Sequence, residues 1–179
     1  DLATTPHGAI RLVTTNFDDL FSRVTDQPEW VCPDLPSFER DTTFSGLAYL
    51  HGKASNLGCS GAGSFVLSTR SFGRAYMAEG WANDFIKKLL EHHTVVFVGY
   101  SADDPPMQYL LEALARADAP QQNVYAFQQG GKSVADEKWQ HRGVIPIAFN
   151  RYEDLWKTLG LWRDRAVSQD DWIEARLSE

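Results

Sequence analysis

The amino-acid sequence predicts an α/β protein with a doubly wound parallel sheet, and three observations support this fold class. Short β-branched segments alternate with segments of helical periodicity along the 179 residues. The segment 94–98 contains three valines and is apolar on both faces, as expected of a central parallel strand covered by helices. Three of the predicted strands end abruptly in polar residues, which is where ligands bind in open parallel sheets.

The first half of the chain is predicted to alternate strands and helices around a long irregular region. In chain order, the predictions are a strand over 11–16, a helix over 18–24, an irregular stretch over 25–45, a short strand over 48–50, a loose segment over 53–64, an extended segment over 65–68, and helices over 68–76 and 81–90. Ser68 and Thr69 are the expected capping residues at the start of the helix over 68–76. Trp81, Phe85 and Leu89 are expected to form one buried face.

The second half continues the alternation. The predictions are a strand over 94–98, a helix over 107–117, strands over 123–127 and 144–149, and helices over 153–159 and 170–177. Pro146 assigns the last strand to a sheet edge, because proline cannot donate to a ladder. We expect residues 1–179 to form one domain, with 25–64 as an irregular insertion that contains the strand before His51.

Composition excludes several classes of function. A net charge of −7 and a pI of about 5.2 argue against a sequence-independent grip on nucleic acid. No apolar stretch approaches the roughly 20 residues of a membrane span, and the polar start at Asp1 does not resemble a signal peptide. Cys32 and Cys59 are expected to be free thiols in a reducing cytoplasm. Two cysteines cannot supply a four-cysteine zinc module, and no metal is expected.

The polar residues that follow the strands are the candidate site. Asn16 and Asp18 follow the first strand, His51 follows the second, and Gly99 and Ser101 follow the third. Because right-handed crossovers keep the strand ends on one side, we expect a shared cleft. Either Asn16 or Asp18 could instead cap a helix, and His51 could simply tie a loop to the backbone.

Other polar and aromatic residues have simpler interpretations. The missing side chain of Gly52 is expected to let a ligand approach closely. Asp103 and Asp104 precede two prolines, which favours helix initiation over metal binding. His92 and His93 are expected at a helix C-terminus, where a cation is favourable. Trp156 and Trp162 are expected in the core or at a partner surface.

The ordered set of these motifs resembles the sirtuin-like domains. The segments that carry the resemblance are 14–18, 50–52, 66–68 with Phe72 and Tyr76, and 98–101. Taken together they look most like the bacterial branch that hydrolyses NAD in antiphage defence, and the resemblance spans residues 10–159. It implies a Rossmann-like fold and NAD as the ligand.

The resemblance also implies roles for individual residues. Asn16 corresponds to the residue that positions the ribose or the attacking water, and His51 to the base. Phe17 and Asp18 correspond to residues that hold the nicotinamide. Thr15 stands in the cofactor-binding loop where sirtuins have a glutamine.

Gly99 and Ser101 correspond to residues that line the dinucleotide near its phosphates and adenosine ribose. Two features of the family are missing from this sequence. The opening strand, Gly-Ala-Gly phosphate loop and helix do not occur before residue 10, and the sequence 61–64 is no substitute because it leads into an extended segment rather than a helix. The cysteine-bound zinc module of the deacetylases is also absent, which puts protein deacylation in doubt.

The resemblance favours an NAD glycohydrolase that releases nicotinamide and ADP-ribose. The alternatives are a degenerate module that senses a nucleotide or binds a partner without turnover, and an NAD-dependent protein deacylase. The expected partners are NAD and other domains or a trigger protein, and a homo-oligomer stays open.

Overall fold

The structure is a computed structural model that describes residues 2–5, 7–36, 44–56, 65–100, 111 and 123–177. It divides into two compact units, Ala3–His93 and Thr94–Glu179, the second of which includes Asp1–Leu2. Each unit contains a three-stranded parallel sheet together with helices. The predicted α/β class with parallel strands is therefore confirmed.

The sheet of the first unit has its most buried strand in the middle. Its strands are β1 (Arg11–Thr14), β2 (Glu29–Val31) and β3 (Gly46–Tyr49), in the order β1-β3-β2. All four residues of β3 are buried, as expected of a strand that is covered on both faces. The pairing is parallel throughout, with both Thr14 and Val31 opposite Tyr49.

Strand β2 lies inside the stretch that was predicted to be irregular. It has only three residues and is bounded by Pro28 and Pro33, so its sequence resembles a loop. It is held by tertiary contacts, since Leu47 N donates to Pro28 O at 2.9 Å and Cys32 N donates to Tyr49 O at 3.1 Å. The pairing with β3, rather than local propensity, makes this segment a strand.

The helix that was predicted over 18–24 is wrong, because only a single 3-10 turn, Phe21–Arg23, forms there. The Asp18 carboxylate accepts from Leu20 N at 3.1 Å, a local turn that competes with helix formation. Leu20 and Val24 are 60% and 80% exposed. The apolar residues of this segment therefore bury no helical face.

Two helical regions follow in the first unit, as predicted. The helix α1 (Thr69–Gly73) continues into a π-helical segment, Arg74–Ala78, and α2 spans Trp81–His92. Ser68 caps α1 in a capping box with Ser71. The buried residues of α2 are Ala82, Phe85, Ile86 and Leu90, so the predicted buried face is right for Phe85 but wrong for Trp81 and Leu89, which are half-buried. The ring of Phe85 meets that of Phe44 edge-on, with the ring centroids 5.9 Å apart, which joins α2 to the start of β3.

The second unit is also built on parallel strands. Its elements are β4 (Val95–Phe97), β5 (Val124–Gln129), α3 (Lys132–Trp139), β6 (Ile145–Phe149), α4 (Tyr152–Val167) and α5 (Gln169–Leu177). The strand order is β4-β5-β6, so β6 lies at an edge, as Pro146 predicted. Among the described strands β4 also lies at an edge and is half-buried, so the prediction of a central strand is wrong for it. An apolar run alone does not distinguish a central strand from its neighbour.

The helix α3 was not predicted because its sequence has a weak apolar pattern. Only Ala135 and Trp139 are buried in it. Trp139 is fully buried, its indole N–H donates to the side-chain oxygen of Gln128 at 3.0 Å, and its ring stacks on Phe97 with centroids 6.2 Å apart. One large aromatic residue therefore attaches α3 to the sheet of its unit.

The structure decides several further sequence predictions, and others concern residues outside the described ranges. Trp156 and Trp162 are 64% and 40% exposed, so the core interpretation is wrong for both. Cys32 is a buried cysteine thiol, as expected. No helix in the described part of the chain is long and apolar enough to cross a membrane. Outside the described residues lie Cys59, the segment 61–64, Ser101, the pair Asp103 and Asp104, and all of the predicted helix 107–117 except Leu111.

Candidate functional site

Two of the predicted site residues lie at the same edge of the first unit's sheet. Strands β1 and β3 are parallel neighbours whose last residues, Thr14 and Tyr49, are opposite each other. The pairing extends one step further, because Leu50 N donates to Thr14 O at 2.9 Å. Asn16 and His51 each come two residues after the end of their strand. Both residues therefore lie beyond the carboxyl ends of adjacent strands, where parallel sheets bind ligands.

The loop after β1 is shaped by its own hydrogen bonds. Asn16 N donates to the Thr14 hydroxyl at 3.1 Å, and Asp18 accepts from Leu20 N. Asn16 and Asp18 are exposed and Thr15 is half-buried. Asp18 therefore holds a local turn and caps no helix, so the capping interpretation is wrong for it, while Asn16 is exposed at the sheet edge.

Phe17 joins the loop after β1 to the loop after β3. Its carbonyl oxygen accepts from Ala54 N at 2.7 Å, and its half-buried ring lies 6.1 Å from that of Phe65, centroid to centroid. The backbone bond holds the two loops together at the sheet edge. The rings of Phe17 and Phe65 give this edge an apolar aromatic surface beside the polar groups of Asn16 and His51.

His51 is held within a cluster of aromatic side chains. Its Nε2 is 2.8 Å from the hydroxyl of Tyr76, and its ring meets Phe72 edge-on with centroids 6.3 Å apart. Tyr76 in turn stacks on Phe72, with centroids 4.0 Å apart and an interplanar angle of 9°. The hydrogen bond to Tyr76 and the ring contacts with Phe72 and Tyr76 thus help to orient the half-buried imidazole.

Gly52 does not provide space for a ligand, in contrast to the sequence interpretation. A Cβ atom on Gly52 would lie 2.8 Å from Cδ1 of Phe65, so the ring of Phe65 occupies this space. The segment that carries Phe65 is held there by a bond from Val66 N to His51 O at 3.0 Å. Gly52 also has a φ of +109°, which favours glycine. Its missing side chain allows the close approach of an aromatic ring of the same chain.

Comparisons with known proteins identify the family of this chain. The family described as SIR2-like domain matches residues 10–147. The chain belongs to this family. It is also 32% identical over 170 residues to the uncharacterized protein y4cA of Sinorhizobium fredii (strain NBRC 101917 / NGR234). The match covers 83% of this chain but 14% of that relative, so the chain spans a small part of the relative's length.

Membership confirms the sirtuin-like resemblance and implies that NAD is involved. Three kinds of side-chain group lie at the edge of β1 and β3 in this SIR2-like domain. Phe17 offers an aromatic face, Asn16 offers an exposed carboxamide, and His51 offers a titratable ring. These three residues come from two loops that the Phe17 backbone bond holds together.

An ionic network that the sequence did not predict supports the loop after β3. Lys53 Nζ lies 2.5 Å from the Glu29 carboxylate and 5.2 Å from the centroid of the Tyr49 ring. The Tyr49 hydroxyl is 2.6 Å from that of Ser22. Burial alone would raise the pKa of Glu29, but hydrogen bonds from Lys53 and Ser22 and the charge of Lys53 lower it. The network ties His51's loop to β2 through Glu29 and to the 3-10 turn through Ser22.

The buried cysteine of the SIR2-like domain is not poised for chemistry. Cys32 is fully buried, and burial, together with the charge of Asp34, raises the pKa of its thiol to about 11. A protonated thiol is a poor nucleophile and a poor metal ligand. Within the described ranges, no group of three or more His, Cys, Asp or Glu side chains could hold a metal ion.

Gly99 belongs to the second unit and follows β4. It is exposed and has a φ of +68°, a conformation that glycine adopts readily. The left-handed turn ends the strand and begins the segment that contains Ser101. Because Ser101 lies outside the described residues, the cofactor-binding roles of Gly99 and Ser101 stay predictions.

Proposed function

We propose that this SIR2-like domain hydrolyses NAD to nicotinamide and ADP-ribose at the carboxyl edge of β1 and β3. The observation that carries the proposal is the register of these strands. It sets Asn16 and His51 at equivalent positions, two residues beyond the paired residues Thr14 and Tyr49. An amide and an imidazole at one sheet edge can orient and deprotonate a water molecule.

The chemistry requires both residues. Breaking the bond between nicotinamide and ribose develops positive charge on the sugar carbon, so a nucleophile must be ready on that carbon's open face. The carboxamide oxygen of Asn16 would accept a hydrogen bond from the attacking water or from a ribose hydroxyl. His51 would take the proton, since the ordinary pKa of histidine, about 6.5, lies near neutral pH.

The remaining loop residues would bind the substrate. The half-buried ring of Phe17 would pack against the nicotinamide, with Asp18 near its carboxamide and Thr15 lining the same loop. Gly99 and Ser101 would line the phosphates and adenosine ribose. These assignments come from the family resemblance, and exposure of Asn16 and Asp18 is compatible with them.

The biological setting is a further part of the proposal. The resemblance to the NAD-hydrolysing bacterial branch suggests antiphage defence in the cytoplasm, with a trigger protein or another domain controlling the activity. A loss of cellular NAD on infection that depends on the gene would support this setting. Infection that leaves NAD unchanged, while the gene still protects, would contradict it.

Product chromatography of the full-length protein with NAD distinguishes the candidate activities. The proposal predicts nicotinamide and ADP-ribose from NAD alone, because water is the acceptor. If nicotinamide appears only after an acyl-lysine peptide is added, the protein is a deacylase. If calorimetry shows NAD binding but no product forms with or without the peptide, the site is a binding module. An Asn16→Ala variant should release nicotinamide at least about a hundredfold more slowly if Asn16 acts as proposed.

A further inference from the structure

Tyr76 contacts His51 but has no task in the proposed chemistry. Its hydroxyl lies 2.8 Å from His51 Nε2, and only 7% of the residue is exposed. The two residues are 25 positions apart and belong to different elements. A tyrosine hydroxyl carried this deep into the fold requires a hydrogen-bonding environment, and His51 is part of it.

The backbone that carries Tyr76 has an unusual conformation. Tyr76 lies in the π-helical segment Arg74–Ala78, in which Arg74 O accepts from Glu79 N at 2.8 Å, five residues on. The side chains of Arg74 and Glu79 repeat this spacing, because Arg74 Nε donates to the Glu79 carboxylate at 2.9 Å. A π-helix has a wider turn than an α-helix, so residues five apart face the same side. Gly80, with a φ of +71°, then ends the segment.

The π segment changes which direction Tyr76 faces. Each residue of a π turn is rotated relative to its place in an α-helix, and such turns recur at functional sites. In this π turn, the ring of Tyr76 stacks on Phe72, four residues earlier, and its hydroxyl bonds to His51. The stack fixes the tyrosine ring and thereby the position of its hydroxyl.

We propose that Tyr76 is a positioning residue that holds the imidazole of His51 in one orientation and one tautomer. This inference rests on the proposed function of His51 as the base. A neutral imidazole has one N–H donor and one acceptor nitrogen, and exchange between them is open to a ring in water. For His51 to act as the base, Nε2 must carry the hydrogen and donate it to the Tyr76 hydroxyl oxygen, which leaves the second nitrogen unprotonated. The second nitrogen, Nδ1, is then the one that takes the proton from water.

Nitrogen NMR spectroscopy of the isotope-labelled chain, without NAD, tests the positioning directly. The imidazole nitrogen shifts of His51, assigned with a His51→Gln variant, should show a single neutral tautomer. Tyr76→Phe keeps the ring that stacks on Phe72 and removes only the hydroxyl, so the shifts should move towards a tautomer mixture. Tyr152→Phe is the control, because it removes the hydroxyl of a tyrosine in α4 of the second unit. The control should leave the His51 shifts unchanged.

A steady-state comparison in the full-length protein links the contact to catalysis. Tyr76→Phe should lower kcat for nicotinamide release by about tenfold or more, as expected for loss of a group that orients a reacting residue, with little change in KM. Unchanged His51 shifts in Tyr76→Phe would overturn the inference, as would an unchanged kcat. The NMR result does not depend on turnover. A protein that fails to hydrolyse NAD but shows Tyr76-dependent shifts would refute the proposed function while leaving the contact established.

Discussion

The ring of Phe65 lies against the backbone of Gly52, directly after His51. A Cβ atom at position 52 would stand 2.8 Å from Cδ1 and 3.1 Å from Cε1 of that ring. The same residue has a φ of +109°. The contact packs the loop after β3 against the ring of Phe65. Position 52 therefore requires glycine.

Gly52→Ala is expected to destabilise the first unit. The new methyl group would collide with Phe65, and alanine is strained at this φ, so the free energy of unfolding should fall by about 1–3 kcal/mol. Urea denaturation measures this change. Phe65→Leu added to Gly52→Ala should recover the part of the loss that is due to the collision. If Gly52→Ala is as stable as the unchanged protein, the ring of Phe65 does not lie as close to Gly52 as described.

The ion pair of Lys53 and Glu29 should contribute to stability in a defined range of pH. The pKa of Glu29 is lowered from 4.5 in the folded state, so the unfolded state binds protons more readily as the pH falls. The contribution is present above about pH 4.5 and is lost as the pH falls through the lowered value. Glu29→Gln should therefore flatten the acid limb of a curve of unfolding free energy against pH. A limb of unchanged steepness would contradict this role.

His93 should make stability depend on pH in a higher range. Burial, followed by the charges of Arg11 and His92, lowers its pKa from 6.5, and its Nε2 accepts from Phe44 N at 3.5 Å. The neutral ring is the one that fits the fold, so the sequence expectation of a favourable cation is wrong for His93. Stability should fall as the pH drops below about 6.5, because the unfolded state then binds more protons.

A His93→Gln variant tests this range of pH. It should reduce the slope of unfolding free energy between pH 7 and 5, and a His141→Gln variant serves as the control, since His141 is exposed. Urea titrations at several pH values measure both slopes. Equal slopes in the His93→Gln variant and the unchanged chain would show that His93 does not titrate differently on folding.

The capping box of Ser68 is expected to be a small but local source of stability. Ser68 Oγ accepts from Ser71 N at 3.1 Å, and Ser71 Oγ accepts from Ser68 N at 2.9 Å. Ser68→Ala should cost about 1 kcal/mol, since it removes the cap at the start of α1. Hydrogen exchange should accelerate in α1 and the π segment but not in α2. Uniform acceleration across the first unit would contradict a local role.

Local signals in the sequence were sufficient for much of the fold. Pro146 predicted an edge strand, Ser68 predicted a helix start, and the polar residues after two apolar strands predicted that Asn16 and His51 share a sheet edge. The first two predictions depend on a residue and its immediate neighbours, and the third also uses the right-handedness of crossover connections. The backbone geometry that proline and capping residues impose does not require knowledge of the rest of the chain.

The contacts that shape the site could not be predicted in this way. Lys53 meets Glu29 from 24 residues away, and Tyr76 meets His51 from 25. Such pairs depend on the path of the chain between them. No pattern in the sequence predicted the π-helical segment that carries Tyr76. The three-residue strand β2 was missed for the same reason, because its pairing with β3 rather than its composition determines its conformation.

The rate of nicotinamide release by a His51→Ala variant of the full-length protein tests the central claim most directly. Removal of a general base costs about a hundred- to ten-thousand-fold, so release should fall by that factor. The substitution also removes a hydrogen-bond partner of the buried Tyr76 hydroxyl, so the free energy of unfolding should fall by about 1–3 kcal/mol, and urea denaturation checks that the variant is still folded. His141→Ala, which removes an exposed histidine of the second unit, should release nicotinamide at the unmodified rate. If His51→Ala also releases nicotinamide at the unmodified rate, His51 is not the base and the proposed site at the edge of β1 and β3 is wrong.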